Sequence, residues 1–420
     1  MILDRAYRQR LEADIARWEN EGVIAPAVGG AIRAALPPLA PGITITLVIA
    51  IVGGVLVAAA FLAFVAAHWT ELARLFRVAM LVAGCVCAYF LGGWFASDNR
   101  PVLADLCASI GAIIFGAGIA LVGQMYHLGE DFAAGMLLWS AGALVAAALT
   151  SSRGALAVAL AAACAWTCTR VFEVRDPHFL FLLIWLPAAG LALAWNSRVA
   201  AHLVTAATVP WWVAAAIQVT SAEPSFVLVD GAALLFGAGL GLAAVPEQRT
   251  SSAGTVLAAY GAVALAVATG LAVVTADDFF ASSSGRMAQA PWAAACGVAG
   301  LIFALAAAFI TRLPGTAFAV GAIGLVLLAT ASWKVQPGGE PWLAYAMQLC
   351  AMLCLVVSGM LDSVRSRIVA GWLGLAGVIA GITWAVKGSL LGRSVFLAAA
   401  GGAAMALSTV LNRWLPRSRQ

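Results

Sequence analysis

From Ile43 onward the chain is a succession of apolar runs separated by short polar breaks. The runs fall at 43–67, 78–95, 102–126, 134–150, 155–169, 179–195, 199–220, 226–245, 253–274, 291–311, 316–333, 341–361, 368–387 and 394–411. Most are close to the roughly 20 residues an α-helix needs to cross about 30 Å of hydrocarbon. In lipid every backbone N–H and C=O must be bonded inside the spanning structure, which leaves helices or closed barrels. No run shows the alternation of a barrel strand. The expected fold is therefore all-α: a polytopic transmembrane bundle of about fourteen helices, within a range of 12–14.

Composition agrees. The chain is 63% hydrophobic and 10% charged, where a soluble domain carries about 45–50% and about 25%. A disordered chain, a nucleic-acid-binding domain, a disulfide scaffold and a soluble enzyme with a membrane tail are all excluded.

Residues 1–41 form the one sizeable polar segment. Leu3, Tyr7, Leu11, Ile15 and Trp18 recur at helical spacing, Gly22 closes that helix, and Pro26 can open a shorter one before Pro37-Pro38. Five arginines balance five acids, so the segment is not a polybasic anchor. The run after it is too long, and lacks the small-residue cleavage site, to read as a signal peptide. The expected organisation is a cytoplasmic amphipathic helical hairpin at 1–41, a transmembrane domain at 42–412 and a basic tail at 413–420. The hairpin lies on the membrane or on a membrane-protein partner.

With the N-terminus inside and fourteen crossings, 15 Lys and Arg face the cytoplasm and 8 the outside. That bias places both termini in the cytoplasm. The eight cysteines all lie in apolar runs. Cys164/Cys168 and Cys350/Cys354 share helix faces, but no histidine or acid joins them, so they read as packing residues and no metal is expected. Phosphate-loop and dinucleotide fingerprints are absent, as are the common hydrolase and zinc-protease motifs, so no cofactor is expected.

Two acids lie inside apolar runs, Asp105 and Asp230. A carboxylate there is costly and by default marks an ion or proton site. Both are also near a helix start, where the dipole and snorkelling to water give a structural alternative.

A denser polar cluster gathers at the outward ends of the first and third runs. His68-Trp69 closes the first, followed by an amphipathic connector from Glu71 to Arg77. Gln124-Met125-Tyr126-His127-Leu128-Gly129-Glu130-Asp131 closes the third. Gln124 and His127 share a helix face. His68, Trp69, Gln124, Tyr126, His127, Glu130 and Asp131 are thus the candidate ligand site; the alternative is that Trp69 and Tyr126 are ordinary interfacial aromatics. His178 and His202 read as solvated or hydrogen-bonded, and Gly237/Gly241 and Gly377/Gly381 as helix-packing pairs. The stretch 112–119 parallels 233–240, a pattern that either marks an inverted repeat or reflects shared Ala/Gly/Leu composition.

The Trp18-Glu19-Asn20-Glu21-Gly22-Val23-Ile24 stretch, the His68-Trp69 ending and Gln124 to Asp131 after Phe115-Gly116-Ala117-Gly118-Ile119 carry a resemblance. The chain resembles, over roughly residues 1–170, the bacterial inner-membrane family named domain of unknown function 2157 (DUF2157). That resemblance implies a multi-pass protein of the bacterial inner membrane and brings no established activity. Three functions stay open. The first is transporter-like or lipid-handling, through the outward cluster. The second is a non-catalytic scaffold that binds a partner through the hairpin. The third is a transferase on a lipid-linked substrate, with Glu71, Glu130 or Asp131 as acid or base. An enzyme is the least expected of these.

Overall fold

A computed structural model describes residues 5–35, scattered positions between 49 and 64, residues 73–126, 132–173, 178–218, 224–282, 291–335 and 342–385, and residue 402. Among the described residues the regular structure is entirely helical. In chain order the helices are α1 (Arg5–Asn20), α2 (Pro26–Ala35), α3 (Arg74–Ser97), α4 (Pro101–Tyr126), α5 (Phe132–Thr150), α6 (Arg153–Glu173), α7 (Leu182–Ala194), α8 (Arg198–Gln218), α9 (Pro224–Ala244), α10 (Gln248–Ser282), α11 (Pro291–Thr311), α12 (Pro314–Val335), α13 (Trp342–Leu361) and α14 (Arg365–Ala385). A 3-10 turn, Phe179–Phe181, leads into α7. Proline opens α2, α4, α9, α11 and α12, where its missing N–H costs nothing and its fixed φ starts the helix.

Eleven of these helices are long and apolar enough to cross a membrane, and Phe179–Ala194 is a shorter apolar helix. They correspond one to one with twelve of the expected runs. The other two, 43–67 and 394–411, lie wholly or largely outside the described residues. The chain is therefore a multi-pass helical membrane protein. Some boundaries differ: α3 starts at Arg74, so the last residues of the expected connector form its first turn, and α10 runs on to Ser282, past the expected end at 274.

Buried residues form two main clusters. One joins α4 to α8, and the other joins α9 to α14. Ala216, Val227 and Ala293 form a small third cluster between α8, α9 and α11. Helix association in lipid relies on close packing of small residues, because the tails outside are as apolar as the side chains inside. The glycines show it. A Cβ on Gly237 would run into the backbone of Gly300, and one on Gly300 into the backbone of Ala233. Gly239, Gly254 and Gly261 likewise bring the backbones of α9 and α10 together. Gly377 lies against Gly270, which joins α14 to α10. Both glycine pairs singled out from spacing thus serve helix packing. The similar runs 112–119 and 233–240 meet unlike partners: Gly116 receives the Trp139 indole, Gly237 the backbone of α11.

The five non-glycine residues with positive φ among the described residues are Asn99, Ser151, Asn196, Arg312 and Ser363. Each follows the end of a helix and reverses the chain into the next within a few residues. Left-handed caps of this kind satisfy the last helical carbonyls. Arg100 N–H donates to Phe95 O, Ser152 to Ala147, Ser197 to Ala192 and Val364 to Gly359, at 2.8–3.3 Å. If successive elements alternate in direction, all five turns lie on one membrane face. Each carries or adjoins an arginine: Arg100, Arg153, Arg198, Arg312 and Arg365.

The glycine contacts give a direct test. Gly237→Ala is expected to lower stability by about 1–3 kcal/mol, because the atom it meets is backbone and cannot swing away. Gly190→Ala in α7, where nothing lies within 4 Å of the added Cβ, is expected to be neutral or to stabilise by about 0.5–1 kcal/mol. Thermal unfolding in one detergent distinguishes the two; equal shifts would contradict the packing account.

Candidate functional site

A cavity of about 1160 Å³ lies between α3, α4 and α5. Small residues hold it open: Gly116, Gly118 and Gly123 on α4 and Gly135 on α5 line its walls, with Val78, Leu81 and Val82 facing them from α3. Trp139 is fixed at one side by an Nε1–H bond to Ala112 O at 2.9 Å, with its ring over Gly116. Nothing lies within 4 Å of a Cβ built on Gly123, so this stretch of wall borders open space. Gln124 lines the cavity too and is exposed, at the end of α4 opposite the arginine-bearing turns. Apolar walls with one polar group at the rim suit an amphiphile better than a polar solute.

Gln124 is the one member of the outward candidate cluster whose side chain is described. Tyr126 ends the α4 backbone, and His68, Trp69, His127, Glu130 and Asp131 lie outside the described residues. A contact further back relates the two segments that carry them. Gly54 is buried, and a Cβ there would lie 2.5 Å from the Leu106 side chain of α4.

The two intramembrane acids have different settings. Asp105 ties helix ends together. Its Oδ1 accepts from the Ser152 hydroxyl at 2.6 Å and from Gly154 N–H at 3.2 Å, while the Ser152 Oγ accepts from Ala155 N–H at 3.0 Å. The carboxylate thus caps the first turn of α6 from a neighbouring helix, where the dipole favours negative charge. Asp230, six residues into α9, is 5% exposed. Its carboxylate faces Gly297 of α11, where a Cβ would lie 2.5 Å from Oδ1. The side chain is enclosed by helices, not extended to water.

Two polar features were missed in the sequence. Asp362 in the α13–α14 turn accepts from Gly315 N–H at 3.0 Å and from the Thr316 hydroxyl at 3.3 Å, so it caps α12 as Asp105 caps α6. It also pairs with Arg367 at 2.7 Å, and Arg367 donates to the Ser358 hydroxyl at 3.1 Å. Both charged side chains are almost wholly covered. No sequence pattern marks this pair, because its burial depends on α12 lying against the turn. Gln348 on α13 is fully buried, and neither side-chain polar atom has a hydrogen-bond partner among the described residues. An amide escapes a search for ionisable groups, yet its burial carries a desolvation cost.

His178 is half-buried against Trp166, edge to face at 4.3 Å, with Nδ1 3.2 Å from the Thr167 hydroxyl. Burial, then the nearby Arg170 charge, holds its pKa below the usual imidazole range, so the ring is neutral at pH 7. At the other end of the chain, Arg33 grips Glu19 through two 2.8 Å bonds and fastens α2 to α1. The hydrogen bond from Arg33 holds the Glu19 carboxyl below its ordinary range. Gly29 leaves room for that carboxylate, because a Cβ there would overlap it.

Asp362→Ala leaves Arg367 buried without its counter-charge and should destabilise by about 3–5 kcal/mol. The double change Asp362→Ala with Arg367→Met should recover much of that loss. Thermal unfolding of the purified chain checks both; a neutral single variant would show that the pair is not buried in the folded protein.

No curated protein and no solved structure matches the chain. Residues 16–156 match a family model, and this stretch contains the cavity between α3, α4 and α5, Gln124, and the Asp105 cap. That model describes the family of predicted membrane proteins DUF2157, which this stretch of the chain resembles.

Proposed function

We propose that this chain handles an amphiphilic, lipid-like ligand in the bacterial inner membrane, in the manner of a transporter. Its outward site is formed by His68, Trp69, Gln124, Tyr126, His127, Glu130 and Asp131. The cavity beside α4 carries the proposal, because it combines apolar walls with Gln124 at its end. The approach of Gly54 to Leu106 supports a shared site, since the segment leading to His68 packs on the helix that leads to Gln124. Asp230 is the acid suited to an ion or proton role, because a buried carboxylate inside a span responds strongly to its charge state. Asp105 is suited to holding α6 in place.

Gly123→Phe should block the cavity, and Gln124→Leu should remove its polar rim. Both variants are expected to fail to restore a deletion strain while remaining folded in the membrane. Gly93→Phe, on the exposed side of α3 with equally open space, should restore it. Full rescue by Gly123→Phe would reject the cavity as the working site.

A scaffold role is the second reading, and the hairpin favours it. The Glu19–Arg33 clasp makes α1 and α2 a preformed unit that leaves Val23 and Val28 exposed. Under this reading a chain lacking residues 1–38 loses activity although its membrane part folds, and Gly123→Phe is harmless. The two readings therefore give opposite results in the same rescue assay.

The arginines on the tight turns support an orientation with that face, and both termini, in the cytoplasm. A green fluorescent reporter, which matures only in the cytoplasm, should fluoresce when fused at residue 1 or 420. Dark fusions at both ends would invert the topology.

A further inference from the structure

A second cavity, of about 580 Å³, lies at the seam between the two core clusters, bounded by α7, α8, α9, α10 and α11. Four aromatic rings wall one end and touch in a closed cycle. Phe179 meets Trp211 at 6.3 Å, Trp211 meets Trp212 at 5.6 Å, Trp212 meets Trp292 at 5.6 Å, and Trp292 meets Phe179 at 6.0 Å. Helix ends bring them together: Phe179 precedes α7, Trp292 is the second residue of α11, and Trp211 and Trp212 lie in the last two turns of α8. All four are on the face opposite the arginine-bearing turns.

The rings offer an incoming molecule very little polarity. Trp211 Nε1–H donates to His178 O at 2.9 Å, and Trp212 Nε1–H to Val227 O at 2.8 Å. Trp185, also in the wall, donates to Val204 O at 3.0 Å. The Thr208 hydroxyl is bonded to Thr205 O at 2.6 Å. With these four donors engaged, little in the lining can compensate a polar guest for lost hydration. It can receive hydrocarbon.

The mouth identifies where that hydrocarbon comes from. Val209 and Val213 of α8 and Val267 and Leu271 of α10 line the cavity and are also 38–53% exposed. They belong to membrane-spanning segments, so the opening between α8 and α10 faces bilayer interior, where the surrounding molecules are lipid tails. The volume falls in the range of built ligand sites, about 300–1,000 Å³. His178, beside the aromatic end, provides the change from apolar cavity to polar interface that an amphiphile requires.

We propose that this cavity is a phospholipid site, which takes one acyl chain from the bilayer through the α8–α10 opening and leaves the headgroup at the interface beside His178. It is separate from the cavity at Gln124 and lies outside the stretch matched by the family. Packing of the two helix clusters against each other is then completed by a lipid chain.

The experiment uses the full chain in nanodiscs of phosphatidylethanolamine and phosphatidylglycerol, with a small fraction of phosphatidylglycerol carrying a diazirine in its acyl chain. After illumination, labelled residues are mapped by mass spectrometry. In the unaltered protein, labelling at Thr208–Val213 and Leu228–Ala238 should exceed that at Leu149, an 82% exposed residue of α5, by at least about fivefold, as expected for a retained chain over a passing one. Ala238→Phe or Ala264→Phe, each filling the cavity from a different helix, should remove that excess and leave Leu149 labelling unchanged. Gln124→Leu should have no effect here, so failure of the outward site would leave this result intact. Lining residues labelled no more than Leu149 would overturn the proposal. So would an excess that survives both filled variants, or labelling of the lining by a water-soluble diazirine instead.

Discussion

Helices α9 and α11 approach until the backbone of Gly300 meets that of Gly237 and Ala233, and neighbouring helices are arranged around this contact. Lipid supplies no hydrophobic force to push helices together, so attraction must come from dispersion between atoms in close contact. A side chain at either glycine would hold the helices apart and forfeit those contacts. The α9–α10 interface repeats the solution with Gly239, Gly254 and Gly261, and α10 meets α14 through Gly270 and Gly377. These surfaces make α9 and α10 the most enclosed spans, with 61% and 56% of their apolar windows buried against 17% for α3.

Polar groups then fix the ends of what the glycines bring together. Asp105 and Asp362 do the same job at different places: each carboxylate caps the first turn of a helix that follows a tight turn, and each acts from another helix or turn. A cap of this kind joins charge to a helix dipole and also sets how far one helix has slid along its neighbour. The left-handed turns at Asn99, Ser151, Asn196, Arg312 and Ser363 add the chain reversals. One membrane face is therefore built from short, hydrogen-bonded turns, while both cavities lie toward the other.

Close packing elsewhere makes those cavities informative. Between α3, α4 and α5 the glycines that could have closed an interface border space instead, as at Gly123. At the seam between the core clusters the space is walled by aromatic rings, two of which, Trp211 and Trp212, have their N–H groups engaged by backbone carbonyls. Rings held that way resist collapsing into the void. The first cavity retains a polar residue at its rim, and the second has an almost purely apolar lining.

The sequence by itself determined the class, the helical fold and nearly every span, because the length of an apolar run and the need to bond its backbone in lipid are local properties. Twelve of the expected runs recur as helices, and the glycine pairs 237/241 and 377/381 were legible as packing surfaces from spacing alone. Of the candidate residues, Gln124 stood out in the sequence as a polar residue at an apolar helix end, and it lines a cavity. What surrounds each polar group was not. Asp105 and Asp230 looked alike in sequence, each an acid near a helix start, yet one caps α6 and the other is enclosed against α11. Asp362 and Arg367 carried no signal in the sequence and are a buried pair. Phe179, Trp211, Trp212 and Trp292 are spread over more than a hundred residues and showed no pattern. Only tertiary structure decided these points, because burial and ring contact depend on which helices become neighbours. That choice rests on packing between segments far apart in the chain, which no local periodicity records.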